Sequence, residues 1–191
     1  MKIRELGLKG VKEIIPQRFG DERGFFSETY NQAAFQEAGL PANWVQDNHS
    51  LSSQKNVLRG LHFQTEPFAQ DKLVRVVSGE IYDVAVDIRK GSPDYGKWVG
   101  LTVSAKLGNQ ILIPKGFAHG FLTLAENVEV EYKVSAPYSP PNDCTILWND
   151  PAIGIDWPFS GDPILSKKDK EAALLGDVEN NFFFENVRPS T

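Results

Sequence analysis

The 191-residue chain is 41% hydrophobic and carries a formal net charge of −5. This length fits a single domain over residues 1–191, and the acidic balance argues against a nucleic-acid-binding protein, which needs a basic surface. The lone cysteine, Cys144, excludes an internal disulfide. Since neither a signal-peptide pattern nor a membrane-length apolar run is visible, we expect a cytoplasmic protein.

The first fifty residues predict short elements separated by turns. Residues 3–15 alternate loosely between apolar and charged, which indicates an opening strand, and the aromatic run 25–30 after Gly20 and Gly24 indicates another. Asn31 is a candidate cap for a short helix over residues 32–38, which Gly39 would end. The polar string 46–50 can be read as a solvent-facing loop.

From Leu58 onward, short apolar runs alternate with turn residues. Strands are predicted over residues 58–64, 72–77, 81–88, 98–103, 110–114, 119–124 and 128–134. This spacing is typical of an antiparallel sandwich or barrel. After these strands, a second helix is expected over residues 166–175. The apolar tail at 182–184 is expected to dock on its own domain or on a partner subunit.

Several predicted strands carry ionisable groups, which are costly to bury without a partner. Lys72 shares a face with Val74 and Val76, so we expect it to meet an anion. Tyr132 shares a face with the valines of its strand. It is either a core tyrosine or, in a barrel that holds a ligand, a general acid.

Two carboxylates are candidates for orienting a histidine. Asp169 ends the sequence SKKD (166–169), which also fits a helix-capping box, so it has a purely structural alternative. Asp83 is the other candidate partner for His62. In a regular strand Arg59 and His62 would face opposite sides, so a shared pocket requires a bulge or bend at Gly60.

A metal site is not predicted. Cupin metal sites normally contain two histidines separated by one residue, whereas His62 is followed by Phe63 and Gln64. A metal needs three or four converging ligands, and the sequence does not supply them in a recognisable pattern.

Taken together, these segments resemble the dTDP-4-dehydrorhamnose 3,5-epimerase family, the metal-free cupins of deoxysugar nucleotide synthesis. The resemblance covers roughly residues 16–169. It is carried by DERGFFSE (21–28), QDNHS (46–50), LRGLHFQ (58–64), KLVRV (72–76), DVAVDIR (83–89), IPKGFAHGF (113–121), YK (132–133) and LSKKD (165–169).

The resemblance implies an all-β, cupin-type antiparallel jelly-roll barrel with short peripheral helices, acting as a homodimer without a cofactor. His62 would be the base, Asp169 its orienting partner, Tyr132 the acid and Lys72 the stabiliser of an enolate oxygen. The implied substrate is a dTDP-4-keto-6-deoxysugar. The implied binding residues are Arg23, Glu28, Gln46, Asp47, Asn48, Arg59, Lys72, His119, Tyr138, Asp143 and Lys168.

The chain departs from the family pattern at two positions. Asp143 stands where the family usually has glutamate, and Phe63 replaces a frequent tyrosine. Two alternatives also stay open: an epimerase that acts at C3 or C5 alone on a related nucleotide sugar, and a non-catalytic cupin that binds one.

Overall fold

The computed structural model describes residues 1–159 and 161–184. The chain forms antiparallel strands with two short helices, α1 (Gln32–Glu37) and α2 (Lys167–Lys170). The strands are β1 (Lys2–Glu5), β2 (Lys12–Ile15), β3 (Arg18–Asp21), β4 (Gly24–Ser27), β5 (Gln46–Ser52), β6 (Leu58–Gln64), β7 (Lys72–Ser78), β8 (Glu80–Asp87), β9 (Trp98–Ser104), β10 (Gln110–Ile113), β11 (Phe117–Thr123), β12 (Val128–Val134) and β13 (Asp143–Thr145).

Two sheets form the walls of the jelly roll. The six-stranded sheet has the order β1-β2-β10-β7-β12-β5, and the five-stranded sheet has the order β13-β6-β11-β8-β9. Strands β3 and β4 form a separate hairpin. The predicted all-β jelly roll with short helices is confirmed. In the described part of the chain, no helix has the length and apolar character needed to cross a membrane.

The alternating pattern of the strands builds three apolar layers. Between the sheets lie inward side chains that include Val74, Val76, Ile81, Ala85, Phe117, Phe121, Val128 and Val130. On the outer face of the six-stranded sheet, Phe35 of α1 packs with Leu73 and Leu112. The C-terminal segment covers the outer face of the five-stranded sheet through Trp157, Leu175 and Phe182. The space between the sheets is therefore apolar along most of its length.

The polar string 46–50 is a strand, so its interpretation as a loop was wrong. It belongs to β5, which pairs with β12 along its whole length. The burial of β5 alternates between exposed and half-buried residues. An edge strand with a solvent-facing side tolerates a run of polar residues, which explains why composition alone suggested a loop.

Two other elements differ from their predicted extents. Residues 3–15 form two strands, β1 and β2, which pair with each other after a turn at Gly10. The expected helix over 166–175 is only the single turn α2. The chain leaves the helix because Ala173 accepts a hydrogen bond from the Leu147 amide, and the Leu175 amide binds the buried carboxylate of Asp150.

Two further predictions, the cap of α1 and the docking of the C-terminal tail, are confirmed. Asn31 caps α1, since its Oδ1 accepts a hydrogen bond from the Ala34 amide at 3.1 Å. The tail docks on its own domain through Phe182, which is buried and lies edge-on to Phe63. Phe183 is 69% exposed. Residues 185–191 lie outside the described residues.

Strand β6 bends at Gly60, as the sequence predicted. Arg59 pairs with Phe121 of β11 and His62 pairs with His119, so three steps along β6 match two steps along β11. Because Phe121 and His119 share one face, the register shift places Arg59 and His62 on that same face. This bend places both side chains on the inner face of the sheet, where His62 is half-buried and Arg59 is exposed.

Only glycine fits at the bend. Gly60 has φ of +137°, and a Cβ built on it would lie 2.5 Å from the Cα of Gly120. Gly24, in the β3–β4 hairpin, has φ of +128° but nothing within 4 Å of a built Cβ. The two positions share a backbone conformation and differ in available space.

Gly60→Ala should therefore destabilise the protein more than Gly24→Ala. Both variants pay a left-handed backbone cost of about 1–2 kcal/mol, and Gly60→Ala adds an overpacking cost of roughly 1–3 kcal/mol. Chemical denaturation of both variants measures the difference. Equal losses would contradict the close approach of β6 and β11.

Candidate active site

The inner faces of four strands carry the candidate catalytic groups. His62 of β6 lies opposite His119 of β11, and Asp83 of β8 lies on the neighbouring strand, opposite Phe121. Lys72 comes from β7 of the facing sheet, where it shares the interior face with Val74. The strand pattern thus collects polar side chains at one end of an apolar interior.

His62 and Asp169 form a close hydrogen-bonded pair. His62 Nε2 lies 2.6 Å from Asp169 Oδ1. The Asp169 side chain is 4% exposed, whereas the imidazole is 33% exposed. A buried carboxylate that accepts from one ring nitrogen fixes the ring orientation and leaves the other nitrogen, Nδ1, with its lone pair. The pair is therefore arranged as a base with its orienting carboxylate.

The Ser166 hydroxyl caps α2 and also binds the Asp169 side chain, so the SKKD sequence both begins the helix and holds the partner of His62. The Ser166 hydroxyl accepts from the Asp169 amide at 3.1 Å and donates to Asp169 Oδ2 at 2.6 Å. Burial alone would raise the pKa of Asp169, but hydrogen bonds from His62, Ser166 and the Gly60 amide outweigh it and hold the pKa below its usual value. The carboxylate stays ionised at neutral pH.

Lys72 is a buried cation, as its strand pattern predicted. The residue is 8% exposed, and its Nζ donates to the carbonyl oxygen of His62 at 3.3 Å. Burial lowers the pKa of Lys72 to about 8, although the nearby carboxylates of Asp83 and Asp143 oppose the shift. An ammonium group in this position could neutralise an oxyanion in the pocket.

Asp83 pairs with His119 and not with His62. Both carboxylate oxygens of Asp83 lie 2.9–3.0 Å from His119 Nε2. Burial raises the pKa of Asp83 and lowers that of His119, and their mutual attraction opposes both changes. The sequence left two carboxylates as partners for His62, and the geometry assigns Asp169 to it.

Tyr132 faces the interior from the wall opposite His62. It packs against the apolar layer between the sheets and pairs with Asn48 on the neighbouring strand. Burial raises the pKa of Tyr132, and the positive charge of Arg59 partly offsets this. The phenol therefore keeps its proton at neutral pH, which a general acid requires.

A second cluster lies at the rim, around Asp143. The hydroxyl of Tyr138 donates to Asp143 Oδ2 at 3.1 Å, and Lys168 Nζ also contacts this oxygen. Gln46 accepts from the Tyr138 amide and donates to Asn48. Hydrogen bonds thus join five of the predicted binding residues: Gln46, Asn48, Tyr138, Asp143 and Lys168.

Three predicted binding residues lie elsewhere. Arg23 is exposed in the β3–β4 turn and ion-pairs with Asp21. Glu28 is also exposed and lines a separate cavity near α1. Asp47 lies on the opposite face of β5 from Asn48 and ion-pairs with Lys133 at 2.9 Å. Within one chain, the described contacts of these three side chains do not include His62.

The sequence reasoning did not identify Gln64 as a positioning residue. Gln64 is 4% exposed, and its Oε1 accepts from the Ser139 amide while its Nε2 donates to the carbonyl oxygens of Phe68 and Pro137. These bonds fix the loop that carries Tyr138. The feature of the sequence that could have indicated this role is a polar glutamine at the end of an apolar predicted strand.

Within the described ranges 1–159 and 161–184, no group of three or more His, Cys, Asp or Glu side chains converges in a way that could hold a metal ion. Metal independence stays a prediction of the sequence. Cys144 has no disulfide partner and lies half-buried beside Asp143.

A pair of variants separates the two roles of Asp169. Asp169→Asn should depress turnover strongly, because the ring of His62 loses the charge that fixes its tautomer. Ser166→Ala removes the cap and should cost about 0.5–2 kcal/mol of stability while retaining most turnover. Steady-state kinetics and thermal unfolding measure the two effects. Normal turnover in Asp169→Asn would reduce Asp169 to a helix cap.

Comparison with known proteins agrees with this geometry. The family model described as dTDP-4-dehydrorhamnose 3,5-epimerase matches residues 5–177. The dTDP-4-dehydrorhamnose 3,5-epimerase of Salmonella typhimurium is 60% identical over 176 residues, which cover 92% of this chain and 96% of that relative.

Solved structures show the same fold. The chain resembles dTDP-6-deoxy-D-glucose-3,5-epimerase from Legionella pneumophila in complex with dTDP-4-keto-L-rhamnose, with a TM-score of 0.89, 45% identity and coverage of 93% and 94% of the two chains. It also resembles a 3'-monoepimerase from Streptomyces bikiniensis in complex with dTDP-quinovose, with a TM-score of 0.85, 31% identity and coverage of 90% and 86%. The chain belongs to the dTDP-4-dehydrorhamnose 3,5-epimerase family.

Proposed function

We propose that this protein inverts C3 and C5 of dTDP-4-dehydro-6-deoxy-D-glucose to give dTDP-4-dehydro-L-rhamnose. The reaction passes through enolate intermediates by general acid–base catalysis. The observation that carries the proposal is the 2.6 Å pair of His62 and Asp169, which lies beside the buried ammonium group of Lys72 and across the interior from Tyr132.

The substrate's ketone makes both inversions possible. C3 and C5 flank the C4 carbonyl, so removal of either hydrogen gives an enolate whose charge lies on the ketone oxygen. Lys72 stabilises that charge, and the loss of one such donor typically costs on the order of 10²–10³ in rate. A low-dielectric interior strengthens the attraction, because the apolar layer between the sheets excludes water.

Inversion requires proton removal and return on opposite faces of the sugar. His62 projects from the five-stranded sheet and Tyr132 from the six-stranded sheet, so a ligand between the walls has one group on each side. His62 takes the proton through its free ring nitrogen. Tyr132, whose raised pKa keeps it protonated, returns one. Each positioned group contributes about 10²–10⁴ in rate.

The rim supplies groups for the nucleotide. The Arg59 side chain, which donates to Ser52 and to the Leu51 carbonyl group, and Lys168 offer positive charge for the diphosphate. Tyr138 is 57% exposed, so its ring is free to stack on the thymine base. Asp143, one methylene shorter than the family's usual glutamate, already contacts both Tyr138 and Lys168.

A narrower activity is the second candidate. The similarity to a 3'-monoepimerase means that the same fold also serves an enzyme that is named for inverting one centre. A non-catalytic binding protein is disfavoured because binding alone needs neither an oriented base nor a protonated acid. We place the protein in the cytoplasm, where its single free thiol at Cys144 stays reduced.

A homodimer would account for the position of Arg23. Among the described strands, β3 and β4 pair only with each other, and they expose Phe19, Phe25 and Phe26 by 57%, 63% and 70%. Such an apolar, unpaired hairpin fits a contact with a second copy of the chain. In this arrangement Arg23, on the same hairpin, would reach the partner's pocket.

Isotope exchange tests the activity and separates base from acid. In D₂O the unmodified protein should introduce deuterium at both C3 and C5 of the substrate. His62→Ala should abolish exchange at both carbons because no base remains. Tyr132→Phe should retain some exchange and lose most inversion, since the enolate still forms and is reprotonated without the acid. NMR of the recovered sugar measures all three results.

The outcomes of the exchange experiment distinguish the candidate functions and the candidate roles of His62 and Tyr132. Labelling at one carbon alone would make the protein a single-centre epimerase, and no labelling would make it a binding protein. Exchange retained in His62→Ala would exclude His62 as the base. Inversion of both centres at the unmodified rate in Tyr132→Phe would reduce Tyr132 to a core residue.

Mixing two impaired variants tests the dimer. Arg23→Ala should weaken activity through the partner's site, and His62→Ala should abolish it in its own. After unfolding and refolding together, random pairing should restore about a quarter of the unmodified activity, because half of the dimers would contain one complete site out of two. No recovery, with dimers present by sedimentation, would place Arg23 outside the partner's pocket.

A further inference from the structure

A second buried carboxylate lies deeper in the interior than the His62–Asp169 pair. Asp83 is completely buried, on a strand face that it shares with the apolar residues Ile81 and Ala85. A carboxylate in such surroundings is costly unless cations or donors compensate it. The family reaction, as written above, gives this residue no role.

The surroundings of Asp83 identify what compensates it. Its two oxygens both lie within hydrogen-bond distance of His119 Nε2, at 2.9 and 3.0 Å. His119 is itself 6% exposed and Lys72 is 8% exposed, so three ionisable groups share one dry region. When Asp83 is ionised, its negative charge balances the positive charge of Lys72 in this region.

We propose that Asp83 is a positioning residue that keeps Lys72 protonated and fixes the ring of His119. This role rests on the proposed function, in which Lys72 stabilises the enolate. Asp83 does not touch the reacting atoms. It acts by holding a positive charge in a place where burial alone would remove the proton.

The electrostatic surroundings of Lys72 support this assignment. Asp83 on β8 and Asp143 on β13 favour its protonated form, whereas Lys168 on α2 disfavours it. Of the two carboxylates, Asp83 is completely buried, while Asp143 lies at the rim with Tyr138 and Lys168 bound to it. Water screens the rim charge more strongly, so Asp83 has the greater influence.

The consequence is an alkaline limit on activity. The pKa of Lys72 is about 8, so the enolate stabiliser loses its charge as the pH rises past this value. Removal of the Asp83 charge lowers the pKa of Lys72 further. The alkaline limit on activity then moves to lower pH by about one unit, which is the low end of the pKa shift that a close opposite charge causes.

Two matched variants test the proposal. Asp83→Asn keeps an oxygen that accepts from His119 but removes the charge. Asp87→Asn is the control, because Asp87 is equally buried on the same strand and pairs with Arg89 at the other end. The measurements are the pH profile of kcat/KM and the ε-¹³C NMR titration of Lys72, assigned by its loss in Lys72→Arg.

Asp83→Asn should shift both the alkaline limb and the Lys72 titration to lower pH, and Asp87→Asn should shift neither. Asp83→Glu, which retains the charge, should restore the limb at least in part. An unchanged Lys72 titration in folded Asp83→Asn overturns the proposal. So does an equal shift in Asp87→Asn.

The NMR titration also separates this proposal from the proposed function, because it needs no substrate. An unmodified protein without epimerase activity would overturn the function, yet the Lys72 titration would still report the influence of Asp83. If Asp83→Asn does not fold, the Lys72 titration of the unmodified protein tests the proposal instead. A Lys72 titration near pH 8 supports the proposal. Titration below about pH 6, as in buried lysines without a carboxylate, overturns it.

Discussion

The hydrogen bond between His62 and Asp169 joins the five-stranded sheet to a helix turn 107 residues further along the chain. Three local features are needed to form it. The bend at Gly60 turns His62 inward, and the Gly60 amide also donates to Asp169. The Ser166 hydroxyl holds the carboxylate from the other side. The Asp169 carboxylate is therefore held between β6 and the start of α2.

The apolar layer between the sheets strengthens the electrostatic interactions of the ionisable groups. Val74, Ala85 and Phe121 exclude water from the inner face on which Lys72 and Asp83 lie. The same exclusion lowers the pKa of Lys72 and strengthens its attraction for an oxyanion, because both effects follow from a low local dielectric. Burial of the Lys72 charge costs folding free energy, because water cannot solvate it there. The proposed catalysis nevertheless requires this charge.

The sequence predicted the strands from Leu58 onward because their apolar alternation is strong, and it predicted the bend because Arg59 and His62 could share a face in no other way. It could not assign Asp83 and Asp169 to their histidines, since the pairing depends on register between strands that are distant in the chain. Polarity misled the prediction for residues 46–50, because an edge strand and a loop have similar compositions. The early end of α2 depends on tertiary hydrogen bonds that no local pattern encodes.

In the proposed mechanism Asp169 holds His62 in one tautomer, with Nε2 protonated and Nδ1 free to act as the base. ¹⁵N NMR of the unmodified protein at neutral pH, with the His62 signals assigned by their loss in His62→Ala, measures this directly. We expect His62 Nε2 to show the chemical shift and proton coupling of a protonated nitrogen, and Nδ1 the shift of an unprotonated one. A proton on Nδ1, with Nε2 bare, would contradict the account, because the nitrogen facing the sugar could not then accept a proton.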